Sequence, residues 1–171
     1  MDAKNRRKQL LDILKRAGEP VTGTVLAQAL GVSRQVVVGD IAILRAAGGE
    51  IVATPQGYFL PSAPVSSVQT AKIACHHEGD QLAEELTLII DNGGKVLDVI
   101  VEHPVYGELR ANLMLASRRD IADFLYKLEH SGAKPLSAVT GGVHLHTVEV
   151  PSPQVLAQIE KELAEQGILF K

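Results

Sequence analysis

Two histidines one residue apart, His144 and His146 in the run TGGVHLHTVEV (140–150), are the first residues here whose types and spacing could do chemistry. Side chains on a strand alternate between faces, so both imidazoles project the same way and can share one ion. Further donors lie upstream in the pairs His76–His77 and Glu84–Glu85. His76 and His77 point to opposite faces of a strand or its exit, so at most one of them readily joins the pair. Glu84 and Glu85 point in different directions around a helix. Imidazoles with a carboxylate suit a divalent transition metal (Zn, Ni, Fe or Mn), and spacing alone does not rank these. The other candidates have plainer roles. His130 falls at a predicted helix C-terminus, where a cation is favoured. His103 precedes Pro104 and can hydrogen-bond a turn. Cys75 reads as a small core residue.

A second group, Ser33, Arg34, Gln35 and Val38, opens a predicted helix. In a helix-turn-helix such N-terminal residues lie at base edges in the major groove. Arg pairs with guanine O6/N7 and Gln with adenine N6/N7. Lys4, Arg6, Arg7 and Lys8 are positioned to neutralise phosphates, which would make binding salt-dependent.

The elements that must hold these groups follow from pattern. Leu10, Ile13, Leu14 and Ala17 repeat at helical spacing over 4–17, and Gly18 stops that helix. A short helix follows Thr22, its expected apolar face being Val25, Leu26, Ala29 and Leu30. After the turn Gly31–Val32–Ser33, the stripe Val37, Ile41 and Leu44 marks a third helix ended by Gly48–Gly49. The runs 51–54 and 57–60 form a hairpin around Pro55–Gln56. The whole is a winged helix-turn-helix over 1–62. The run PSAPVSS (61–67) suits a linker.

Residues 63–171 alternate strand and helix signals. Strands are expected over 67–77, 95–103, a stretch after Gly107, and a stretch running from after Gly132 through 140–150. Helices are expected over 81–91, over 119–130 behind Ser117 with Asp120 in capping-box position, and after Ser152–Pro153 up to Gly167. This makes an α+β chain: a winged helix-turn-helix followed by a β-α-β-β-α-β-α sandwich domain.

Charge divides the same way. The first 62 residues hold eight basic and five acidic residues, a balance of +3. The remainder holds nine and fifteen, a balance of −6, together with all six histidines. One half suits a polyanion and the other does not. A single cysteine excludes a disulfide framework and fits a reducing cytoplasm, where this chain is expected. No apolar run approaches the ~20 residues of a membrane span, and the basic N-terminus leads into a helix rather than a secretory signal.

The stretch LAQALGVSRQVVVGDIAILRAAG (26–48) resembles the helix-turn-helix of bacterial biotin-repressor-like and deoxyribose-repressor-like regulators. It departs at Gly39, where that pattern usually carries Arg or Lys, so one phosphate contact is lost. The stretches VIVEHPVYGEL (99–109) and PLSAVTGGVHLHTVEV (135–150), with His77 and Glu85, look like the three-histidine domain of bacterial niacin-responsive repressors. The likeness runs through the chain in the same order, a winged helix-turn-helix first. It implies a non-enzymatic repressor of NAD biosynthesis or niacin uptake genes, with nicotinic acid as co-repressor. It implies one divalent metal per chain, held by His77, Glu85, His144 and His146, with His76 as the local rival to His77. An open metal position would take nicotinate, and His103, Tyr106 and Arg110 are the candidate effector contacts. A homodimer would place two recognition helices ~34–36 Å apart on a palindromic operator.

Two rivals use the same ligands. One is a metal-responsive regulator in which the ion is the signal. The other is a metal-dependent hydrolase with a DNA-binding arm, whose general base would come from Glu78, Asp80 or Glu84. It lacks a GxSxG or HExxH motif.

Overall fold

Side-chain caps set the helix starts. In the computed structural model, which describes residues 2–61 and 68–171, Asp2, Thr22 and Ser33 each accept a hydrogen bond from a first-turn amide. The helices they open are α1 (Ala3–Ala17), α2 (Gly23–Leu30) and α3 (Arg34–Ala46). Between α2 and α3 the chain axis turns by 100°, within the range of a helix-turn-helix. The hairpin follows as β1 (Val52–Thr54) and β2 (Gly57–Phe59), antiparallel with Val52 opposite Phe59. A bridge from Val21 to Tyr58 ties this wing to the start of α2.

These elements enclose Leu10, Leu14, Leu26, Leu30, Val37, Ile41 and Ile51. The α2 stripe differs from the expected one. Gly23, Leu26, Ala27 and Leu30 face inward, and Val25 is half exposed. Both stripes satisfy helical spacing, but the neighbours press on the Gly23 side. A Cβ there would meet the Arg34 and Tyr58 side chains at 3.4–3.5 Å.

The chain divides into two compact units, Met1–Pro64 and Val65–Lys171. The expected boundary at 62/63, and the expected linker 61–67 apart from Pro61, lie outside the described residues. The second unit runs β3 (Gln69–His76), α4 (Leu82–Asp91), β4 (Lys95–His103), β5 (Gly107–Leu115), α5 (Arg118–His130), β6 (Val143–Val150) and α6 (Pro153–Glu165). This is the expected β-α-β-β-α-β-α order. The capping box of Ser117 and Asp120 opens α5, and Ser152 with Pro153 opens α6.

The strand-like stretch expected after Gly132 is instead a 3-10 turn, Leu136–Thr140. Pro135 has no N–H to give a ladder, and the Thr140 hydroxyl closes the turn on the Ser137 carbonyl at 3.1 Å.

The four strands form one antiparallel sheet in the order β3-β6-β4-β5. The last strand thus inserts between the first and second. Ile73, Leu86, Ile89, Val99, Val148, Val150, Ile159 and Leu163 fill the core. The C-terminal residues extend the sheet at the outer edge of β3, where the His76 amide donates to Ile168 and the Phe170 amide to Ala74. Among the described residues no single helix is long and apolar enough to cross a membrane.

Gly39 sits mid-helix on the exposed side of α3, and a Cβ there would meet nothing within 4 Å. Gly39→Ala is therefore expected to stabilise the N-terminal unit by about 1 kcal/mol. A rise in the denaturant or thermal midpoint checks this; an unchanged or lower midpoint contradicts it.

Candidate metal centre and nucleic-acid interface

His144 and His146 lie on β6 and turn their rings to the helix-covered face. That face also receives Glu85, which sits one turn from Ile89 on α4 and points inward with it, while Glu84 points to solvent. Because β6 pairs with β3, the end of β3 passes beside the start of β6. His77, just past β3, is buried there and joins the other two. His76 is exposed, its Nε2 lying 3.2 Å from the Gly141 carbonyl and its ring edge-on to Phe170.

All three imidazoles meet one carboxylate. Nε2 of His77 contacts Glu85 Oε2. Nε2 of His144 and of His146 lie 2.9 and 2.7 Å from Oε1. Glu85 is 0% exposed, so no solvent shell offsets its charge.

The other ring nitrogens settle what Nε2 presents. Nδ1 of His77, His144 and His146 lies 2.6, 2.8 and 2.7 Å from the carbonyls of Glu78, Gly142 and Asp98. A carbonyl only accepts, so each Nδ1 carries the hydrogen. In the neutral rings each Nε2 then aims a lone pair at an oxygen that also only accepts. Such an arrangement in a dry site demands a cation, either protons on the rings or a metal ion among them. His146 Nε2 makes the point directly: it is buried and without a hydrogen-bond partner although the carboxylate is near. The donor set, the orphaned nitrogen and the backbone carbonyls behind each ring all fit a metal ion.

Burial acts to raise Glu85, but the imidazoles of His144, His146 and His77 beside it together outweigh this and hold the carboxylate far below its ordinary range. Burial acts to lower His77 and His146, and Glu85 with the backbone carbonyls reverses this, so both stand above the ordinary 6.5.

Two further residues stand beside the imidazoles. Gly142 has φ +98°, and a Cβ on it would collide with the His77 carbonyl, so only glycine lets β6 begin so close to His77. Cys75, expected to be a small core residue, is buried opposite His144. Its sulfur, a Glu85 oxygen and a His144 nitrogen all lie within 4.8 Å of one another. Burial first, and the Glu85 charge next, push the thiol well above its ordinary range.

The structure does not bring the candidate effector residues to the imidazoles. Arg110 pairs with Ile100 in the register, next to the Val99–Ala111 pair that shares the His146 face, so its side chain leaves the other face. There it lies 3.4 Å from both Asp98 and Glu108. His103 is four residues beyond Val99, roughly 13 Å along the strand. Its Nδ1 accepts from the Val105 and Tyr106 amides at 3.1 and 3.2 Å, the turn-closing role that the Pro104 context suggested. Tyr106 is 75% exposed at that turn.

In the first unit, Ser33 caps α3 and accepts from the Val36 amide at 3.3 Å. Arg34 and Gln35 are exposed at the start of that helix, as is Lys8 on α1. Val38 is half-buried, and Val36 is the more exposed valine. Arg6 departs from its expected role as a phosphate contact. Its guanidinium grips buried Asp40 of α3 through bonds of 2.6 and 3.1 Å, and Arg7 adds a third at 3.4 Å. The Arg6 hydrogen bonds hold Asp40 below its ordinary range.

Known proteins bear on both units. Residues 6–59 match the model of the helix-turn-helix domain family described as "HTH domain", and residues 70–171 match that described as "3H domain". The sequence is 43% identical over 166 residues to "Probable transcription repressor NiaR" of Thermotoga maritima, covering 97% of this chain and 94% of that protein. It is 44% identical over 169 residues to "Transcription repressor NadR" of Bacillus subtilis, covering 98% and 94%.

The pH dependence follows from these signs. The raised imidazoles contribute stability that is full below pH 6.5 and is lost as pH rises through their folded values. The lowered carboxylate contributes stability present above 4.5 and lost only as pH falls toward its folded value. In chelator, thermal melts of the second unit should therefore be highest between those limits and decline toward alkaline pH. Saturating Zn²⁺ or Ni²⁺ should remove the alkaline decline, adding about 2.7 kcal/mol at a hundredfold excess over Kd. Identical melts with and without metal at pH 8 would contradict this. Gly142→Ala is expected to cost about 1–3 kcal/mol in the same melts and to weaken ion binding, measured by equilibrium dialysis.

Proposed function

The chain belongs to the family of transcription repressors that join a helix-turn-helix domain to a 3H domain, and we propose that it represses genes of NAD biosynthesis or niacin uptake with nicotinic acid as co-repressor. It is a DNA-binding regulator and not an enzyme. The observation that carries the sensing half of the proposal is the convergence of three Nδ1–H imidazoles on the buried Glu85 carboxylate.

His77, Glu85, His144 and His146 would hold one divalent ion. The ion supplies a Lewis-acid position for the carboxylate or ring nitrogen of nicotinate. The chain's own contribution is orientation. The carbonyls of Glu78, Gly142 and Asp98 fix each ring in one tautomer and keep bulk water from taking the same positions. Because Tyr106 and Arg110 stand away from the imidazoles, the rest of the nicotinate pocket is expected among residues nearer β6. On the DNA side, Arg34 and Gln35 would read base edges, with Lys8 on phosphate. A homodimer would present two α3 helices to a palindromic operator.

Nicotinate strengthens repression only if it binds the DNA-competent state more tightly, and the shift equals that difference in affinity. Gel shifts on DNA upstream of niacin-uptake genes should show at least tenfold tighter binding with metal and nicotinate than with metal alone, which is about 1.4 kcal/mol. His146→Ala should lose that response and keep basal DNA binding. Equal affinity with and without nicotinate would overturn the co-repressor role. A full response to metal alone would make the ion the signal instead.

A further inference from the structure

We propose that Cys75 is a further ligand of this centre, its sulfur joining the imidazoles and Glu85 on a thiophilic divalent ion. The proposal rests on the reading of the centre as a metal site and adds a donor to it.

Cys75 and His144 are register partners on β3 and β6, so their side chains leave the sheet together on the helix-covered face. Sγ, a carboxylate oxygen of Glu85 and a ring nitrogen of His144 already stand within 4.8 Å of one another. Bonds of about 2.3 Å to sulfur and about 2.0–2.1 Å to nitrogen around one zinc require only a modest further approach. An independent feature points to the same spot: His146 Nε2, itself buried, faces Glu85 without a partner. Cys75 is the one cysteine of the chain, so the sulfur has no intramolecular disulfide partner. Filling core volume alone needs no sulfur; alanine or valine would serve. Among nitrogen and oxygen donors, a thiol adds softness.

Ligation exchanges the S–H bond for a metal–sulfur bond. The proton leaves to buffer, the sulfur keeps its electron pair, and nothing is oxidised. A soft ligand biases the centre toward Zn²⁺, Ni²⁺ or Co²⁺ over Mn²⁺ or Mg²⁺.

Cobalt(II) added to the full chain is the direct probe. The expected spectrum has visible ligand-field bands together with a near-ultraviolet sulfur-to-cobalt charge-transfer band. In Cys75→Ser and Cys75→Ala the ligand-field bands should persist and the charge-transfer band vanish. Chelator competition should show zinc affinity down by about tenfold or more in both variants, with manganese affinity little changed. Ligand-field bands without a charge-transfer band in the wild-type chain would overturn the proposal and leave the three-histidine centre standing. Failure of the wild-type chain to take up cobalt at all would overturn both. The deciding spectrum is that of the wild-type chain, so a variant that fails to fold does not obscure the result.

Discussion

Three imidazoles locked in the same tautomer around a buried carboxylate constrain everything else in the second unit. Glu85 has no solvent to stabilise its charge, and the rings around it have already given their one hydrogen to backbone carbonyls. The carboxylate is tolerable only with positive charge beside it, and that charge has to come as protons or as an ion. The topology serves this need. Inserting β6 between β3 and β4 brings the His77 end of the first strand next to His144 and sets His146 beside β4. The carbonyl that orients His146 belongs to Asp98, which sits at a register shift in β4. Bulges of this kind re-aim groups next to functional sites.

The first unit also turns on a buried carboxylate. Asp40 faces inward from the middle of α3, and Arg6 with Arg7 of α1 neutralises it. The pair fixes the recognition helix against α1 through a bidentate fork, which carries geometric specificity as well as attraction. It also removes positive charge from the surface available to phosphates. The +3 balance of this region already counts Asp40, so the pair leaves it unchanged, while exposed Lys8, Lys4 and Arg34 stay clear of that pairing.

Features encoded in a few consecutive residues are legible in the sequence. Ser33, Ser117 and Ser152 cap the helices they were expected to cap, because a cap is a property of four consecutive residues. HLH put two imidazoles on one face because strand alternation is strict. What depends on strand partners was not legible. The family resemblance alone favours His77 over His76 and Glu85 over Glu84, because spacing does not tell which face α4 covers or which strand lies beside β3. Cys75 lies in the core, as its type suggests, and only the β3–β6 register reveals that it also stands across from His144. Arg6 passed as a phosphate contact because its partner lies 34 residues away. Gly142 gave no signal of its own: a glycine in a turn is ordinary until His77 closes against it.

The span of the centre has a thermodynamic consequence. Glu85 and His144 are 59 residues apart in sequence, and the site draws on β3, α4 and β6 together. An unfolded chain cannot hold these donors in place without first closing those loops. Any ion bound here therefore stabilises the whole unit rather than one segment, and its binding free energy appears as folding free energy. A molecule that alters the ion's coordination acts on strands and helix at once. That is how a small ligand at one buried point can change the standing of an entire domain, provided it binds one state of that domain more tightly than another.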